Sequence, residues 1–139
     1  MTAPPPTTST NGDVESLDPQ YIDQLWQLQA RTGQELVSPI IERFLAEAPR
    51  RLEELRLALA AKDDRHLVFV AHAFKGSGAQ LGAHRLAQIC QDLETRGRRM
   101  EWSGVEEIVG HLQSEIERIA PLLRAKAAPP HPPPAALAH

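Results

Sequence analysis

The sequence predicts an all-α protein, an antiparallel four-helix bundle with an additional short N-terminal helix, and three observations lead there. Apolar residues make up 42% of the chain but aromatic ones only 4%, so the core must be built from Leu, Ile, Val and Ala, the usual filling of helical bundles. Apolar positions recur at three- and four-residue spacing through most of the chain, and no stretch alternates convincingly as a strand. The 139 residues suit one domain once the Pro-rich ends are set aside.

Those ends divide the chain into a Pro/Thr/Ser-rich arm over 1–17, a helical body over 18–124 and a Pro/Ala-rich tail over 125–139. Neither end carries enough apolar surface to form a core, and both read as linker-like arms, with a ligand for a Pro-binding domain as the alternative. Within the body, Asp18-Pro19 gives a cap followed by proline, and Ile22, Leu25, Trp26 and Leu28 continue a first helix to about Arg31. Gly33 marks the turn. Ser38-Pro39 repeats the cap signal for a second helix, which could also start as early as Gln34. Its stripe of Ile41, Phe44, Leu45, Ala48, Leu52, Leu55 and Leu59 runs to Lys62-Asp63-Asp64. Pro49 lies inside that stripe and predicts a kinked single helix, with two separate helices as the alternative.

Asp63 or Asp64 caps a third helix carrying Leu67, Val70, Ala71, Phe74, Ser77, Gly78 and Leu81, which ends at Leu81-Gly82. Leu86, Ile89, Cys90 and Leu93 form the fourth, for which Gly97 in TRGRR is the expected terminator. Ser103 caps the fifth, whose stripe is Val105, Ile108, Val109, Leu112, Ile116, Ile119 and Leu123, with Pro129 ending the ordered structure. Trp26 and Trp102 fall near helix starts and are expected to pack at the bundle ends.

Several functions find no footprint. The formal charge of −3 comes from 15 basic and 18 acidic residues spread along the chain, without the basic patch that nucleic-acid binding needs. No segment reaches the roughly 18 apolar residues of a membrane span, and the N-terminus lacks a signal-peptide pattern. A cytoplasmic monomer is expected. The single Cys90 lies on an apolar stripe and reads as a buried structural thiol. The histidines other than His72 show no i, i+4 pairing and no Cys cluster, so no metal site is expected. No Gly-rich phosphate loop or ATP-binding segment is present, so the chain should not phosphorylate itself from ATP.

The informative segment is AHAFKGSGAQLGA, residues 71–83. At 100° per residue His72 points away from the Leu67, Val70, Phe74, Leu81 face. Around it lie Val68, Phe69, Lys75, Gly76 and Ala79, an apolar or small surround with one charge where a solvated face would hold Glu, Lys and Gln. That composition signals a docking patch. Gly76 and Gly78 together cost about 2 kcal/mol of helix propensity relative to alanine. Gly76, on the side of His72, would clear space for an incoming group; Gly78 faces the core, where close helix packing would require it.

The run His72-Ala73-Phe74-Lys75-Gly76-Ser77, followed by Leu81-Gly82-Ala83, Leu86, Cys90 and Leu93-Glu94, and preceded by Phe44-Leu45-Ala46-Glu47-Ala48-Pro49, resembles the histidine-containing phosphotransfer (HPt) family over residues 18–124. The resemblance implies a helical bundle that accepts a phosphoryl group from a receiver-domain aspartate and donates it to another. His72 would then be the phosphorylated residue, Lys75 its basic neighbour and Gly76 the clearance residue; Gly78, where the family commonly has Ser or Ala, is a departure. The implied partners are the receiver domains of a hybrid sensor kinase and of a response regulator, docking over the second and third helices through Val68, Phe69, Gly76 and Ala79. No cofactor is expected on this chain, Mg2+ being supplied by the receiver. The chemistry suits imidazole, a competent nucleophile when neutral, with Lys75 placed to offset charge on phosphoryl oxygens. A docking module that binds a kinase or response regulator without being phosphorylated is the alternative. Met1 favours a free-standing protein over a piece of a hybrid kinase.

Overall fold

A computed structural model describes residues 17–128. Five helices account for nearly all of this span: α1 (Pro19–Thr32), α2 (Val37–Ala61), α3 (Asp64–Gln80), α4 (His84–Arg98) and α5 (Val105–Lys126). No strand occurs among the described residues. Each of α2 to α5 packs on the next, and α2 also packs on α5, closing a four-helix ring. The short turns at Lys62-Asp63 and Leu81–Ala83 and the loop before Val105 reverse the chain each time, which makes neighbours antiparallel. The interior is the expected aliphatic one, with Phe44 and Phe74 meeting at 5.6 Å between ring centres.

The α3–α4 pair forms the most extensive contact in the bundle, and two glycines set it. A Cβ on Gly78 would stand 2.6 Å from Leu86 Cδ2, and one on Gly97 would stand 2.8 Å from Val68 Cγ2. Gly78 thus has the packing role its position suggested. Gly97 corrects the expectation of a terminator: α4 runs on to Arg98, and the left-handed residue that ends it is Met100 at φ 54°. Gly97 is glycine because α3 crosses there.

Helix ends follow local chemistry in some places and tertiary chemistry in others. Asp18 caps α1 by accepting from Gln20 N at 3.0 Å, and Asp63 caps α3 by accepting from His66 N at 3.1 Å. The expected Ser38 cap is not formed. α2 starts at Val37, and Gln29 Oε1 from α1 accepts from Leu36 N at 2.7 Å and Val37 N at 3.1 Å. Ser38 Oγ donates instead to Ala127 O at 3.2 Å. Ser103 does not cap α5 either: Gly104, at φ 81°, is the N-cap, and Ser103 lends its carbonyl to Arg96.

α2 continues through Pro49 as one helix, which rules out the two-helix alternative. Buried Ala48, Leu52 and Leu55 hold both halves in the core and offset the lost backbone bond. The boundaries expected at 17 and 125 also move. Leu17 is buried, tied down by Asp18 N donating to Gly82 O at 2.8 Å. At the other end α5 extends to Lys126 because Trp26 Nε1 donates to Lys126 O at 3.1 Å, satisfying a carbonyl that the helix end leaves open. The remainder of the expected arm and tail lies outside the described residues. Trp26 and Trp102 sit at opposite ends of α5, the latter beneath Lys62 Nζ at 5.3 Å from its ring centre.

Candidate functional site

α3 buries Leu67, Val70, Ala71, Phe74 and Gly78 and turns its other side outward. The side chain of His72 is 65% exposed there. Phe69, one turn earlier, is 70% exposed, and Gly76 and Ala79 are exposed one and two turns later. Val68 is partly buried, its methyl lying where α4 has Gly97 in place of a larger residue. Ser77 Oγ donates to Ala73 O at 3.3 Å, so this hydroxyl serves the helix and stays clear of His72.

The imidazole is not free to turn. Its Nδ1 stands 3.3 and 3.2 Å from the two carboxylate oxygens of Glu94, a residue of α4 that is only 4% exposed. Lys75 Nζ donates to Glu94 Oε1 at 2.9 Å and to Gln91 Oε1 at 2.8 Å, and Arg98 Nη2 donates to Glu94 Oε2. Burial alone would raise the Glu94 carboxyl, but hydrogen bonds from Arg98, Lys75 and His72 outweigh it and hold the group down at about 2. Glu94 is therefore ionised at neutral pH and can only accept. A hydrogen bond to Nδ1 then requires the proton on Nδ1, which leaves the Nε2 lone pair as the nucleophilic position on the exposed ring.

The electrostatic balance favours an anion. One carboxylate carries two cations, Lys75 and Arg98, so the cluster keeps one positive charge when His72 is neutral. Gly76 completes the arrangement. A Cβ there would meet nothing within 4 Å, so no contact inside the protein demands glycine at a helical position where it costs about 1 kcal/mol. The missing side chain leaves open space beside His72. Cys90, beneath the site, is buried, and burial pushes its thiol up to about 12, so it stays a protonated core residue.

The structure thus brings His72 and Lys75 together through a third residue, Glu94, and displays Phe69, Gly76 and Ala79 on the same outer surface, with Val68 at its inner edge. It also moves the site sideways. Glu94, Gln91 and Arg98 come from α4, while Lys75 shares α3 with His72, so a docking surface drawn over the second and third helices alone omits one flank. The second helix meets α3 on its other side, where Arg43, Glu47 and Arg51 form an ion-pair ladder near Ser77 and Gln80. Sequence reasoning missed Glu94, Gln91 and Arg98 as site residues. A signal existed: Glu94 follows Cys90 by four residues, where the apolar stripe of the fourth helix should continue, and Arg98 follows Glu94 by four. A charge standing on an apolar stripe, with a cation one turn on, marks a buried ion pair.

Comparison with known proteins bears on the family and the fold. Residues 39–121 match the family described as the Hpt domain. Multistep phosphorelay regulator 1 of Schizosaccharomyces pombe is 27% identical over 96 residues, covering 69% of this chain and 32% of that protein. Histidine-containing phosphotransfer protein 1 of Arabidopsis thaliana is 34% identical over 80 residues, covering 53% of this chain and 49% of that one. The chain therefore spans between about a third and a half of the length of these relatives. In three dimensions it is similar to histidine-containing phosphotransfer protein B of Pseudomonas aeruginosa, with a TM-score of 0.72, 28% identity and coverage of 81% of this chain and 94% of the other. With the profile matched across four of its five helices, the chain belongs to the Hpt domain family.

Proposed function

We propose that the chain is a phosphoryl carrier in a multistep phosphorelay, with His72 as the carrying residue. The observation that supports this best is the pairing of an exposed imidazole with a buried, ionised carboxylate, so that Nδ1 is held and Nε2 faces outward. In the forward step the Nε2 lone pair attacks the phosphorus of an aspartyl phosphate on a receiver domain. The bond from phosphorus to the aspartate oxygen breaks, the aspartate leaves as a carboxylate, and the Nδ1 proton stays in its hydrogen bond to Glu94. The second receiver takes the group by the reverse chemistry.

Lys75 and Arg98 supply positive charge beside the transferring group, and Gly76 lets the receiver's backbone approach. The receiver contributes the Mg2+, while this chain needs no cofactor and does not turn over ATP. The partners are the receiver domains of a hybrid sensor kinase and of a response regulator. They dock through Phe69, Gly76, Ala79 and the edge at Val68, in a transient interface of modest area. The carrier works as a monomer in the cytoplasm, where receiver domains meet it by diffusion. No helix among the described residues is long and apolar enough to cross a membrane.

The test is transfer from a phosphorylated receiver domain to the purified chain and to a His72→Gln variant. An acid-labile, alkali-stable label on the wild type and none on the variant is the expected result. A wild-type chain that binds the phosphorylated receiver yet never takes the label would make it a docking module.

A further inference from the structure

The end of α5 is fastened beside a shallow groove that the transfer chemistry does not use. Trp26, Gln29 and Ala30 on α1 form one wall, and Gly33, Gln34 and Glu35 of the following turn form the other. Trp26 packs one part of its ring on the core and leaves the rest in the groove. Its Nε1 donates to Lys126 O at 3.1 Å, and Ser38 Oγ donates to Ala127 O at 3.2 Å. Two side-chain donors therefore hold consecutive carbonyls at the point where the described chain stops. The next six residues are Pro129-Pro130-His131-Pro132-Pro133-Pro134.

We propose that residues 129–134 dock in cis on the Trp26 groove. Proline rings stack well on an indole face, and a proline run pays little conformational entropy on binding because its backbone is already restricted. The indole N–H is already given to Lys126 O, so the contact with the proline run is made on the ring face. Distance does not limit the contact. Pro129 is two residues beyond the carbonyl fixed by Ser38, and six residues of extended proline chain span about 19 Å. Tethering this close gives an effective concentration on the order of millimolar, so a contact that needs millimolar peptide between separate molecules is occupied within one.

The experiment uses the full chain carrying Trp102→Phe, which leaves Trp26 as its only tryptophan. It is compared with the same chain in which Pro129, Pro130, Pro132, Pro133 and Pro134 are replaced by Ser. Docking predicts that the Ser variant keeps its helical circular dichroism while acrylamide quenching of Trp26 rises about twofold as the outer ring face opens. Millimolar synthetic peptide PPHPPPAALAH should restore the protection. Equal quenching of the two chains overturns the proposal. Protection that depends on protein concentration also overturns it, because a second copy would then be covering the groove.

Discussion

At the scale of single residues, Glu94 and Gly76 bear on the imidazole and Gly78 on the core beneath it, and each gives a separable outcome. Glu94 holds Nδ1, so Glu94→Ala should free the ring and cost transfer a hydrogen bond to a charged group, about 1.5–3 kcal/mol, or roughly 10- to 100-fold in rate. Single-turnover kinetics with a phosphorylated receiver check this. The same carboxylate sets an acid limit on stability. Its value in the folded chain, about 2, lies below the ordinary carboxylate value of 4.5. Its contribution is therefore complete above about pH 4.5 and is lost as pH falls toward 2. Urea unfolding across this window should show a smaller loss of stability in Glu94→Gln than in the wild type. Gly76→Ala tests the clearance argument with opposite signs in two measurements. The variant should be more stable by about 0.5–1 kcal/mol, because helix propensity improves and nothing inside clashes. It should transfer more slowly, because the space it fills belongs to the partner. Gly78→Ala should do the reverse on stability, costing about 1–3 kcal/mol against Leu86. That His72, Lys75 and Gly76 share one helix face was legible because their spacing is a local property. Glu94 was not, since its partnership with His72 spans 22 residues and depends on how α4 lies against α3.

At the scale of elements, helical periodicity located every helix, while the caps divided by origin. Asp18 and Asp63 cap from within their own segments, and the residue types announced them. The start of α2 is capped from α1, a partnership invisible to a window moving along the chain, and the Ser38-Pro39 signal pointed two residues too late. Gln29 is the residue to test. It satisfies two backbone N–H groups at once, so Gln29→Ala should destabilise the fold by about 1–2 kcal/mol, whereas Ser103→Ala should shift thermal stability little. Differential scanning calorimetry of the two variants separates tertiary capping from the local pattern. The glycines divide the same way. Gly97 reads as a terminator in sequence because glycine after a helical stripe usually is one, and only the crossing with α3 reveals that it is an interior packing position.

At the scale of the whole molecule, the four-helix ring puts His72 on one face and the carboxylate that supports it inside. Phe69 illustrates the division: at 70% exposure it adds little to the core, so Phe69→Ala should leave the melting temperature within a degree or two while weakening receiver affinity, read by isothermal titration calorimetry. The all-α architecture was legible from composition and period alone, because nearly all of the apolar stripes find partners within one bundle. The central claim is that His72 carries the phosphoryl group on Nε2 while Nδ1 keeps its proton for Glu94. Long-range proton–nitrogen NMR of the 15N-labelled, phosphorylated chain tests it directly. The expected result is phosphorus attached at Nε2 of His72 and a protonated Nδ1. Phosphorus on Nδ1, or on any other residue, would contradict it.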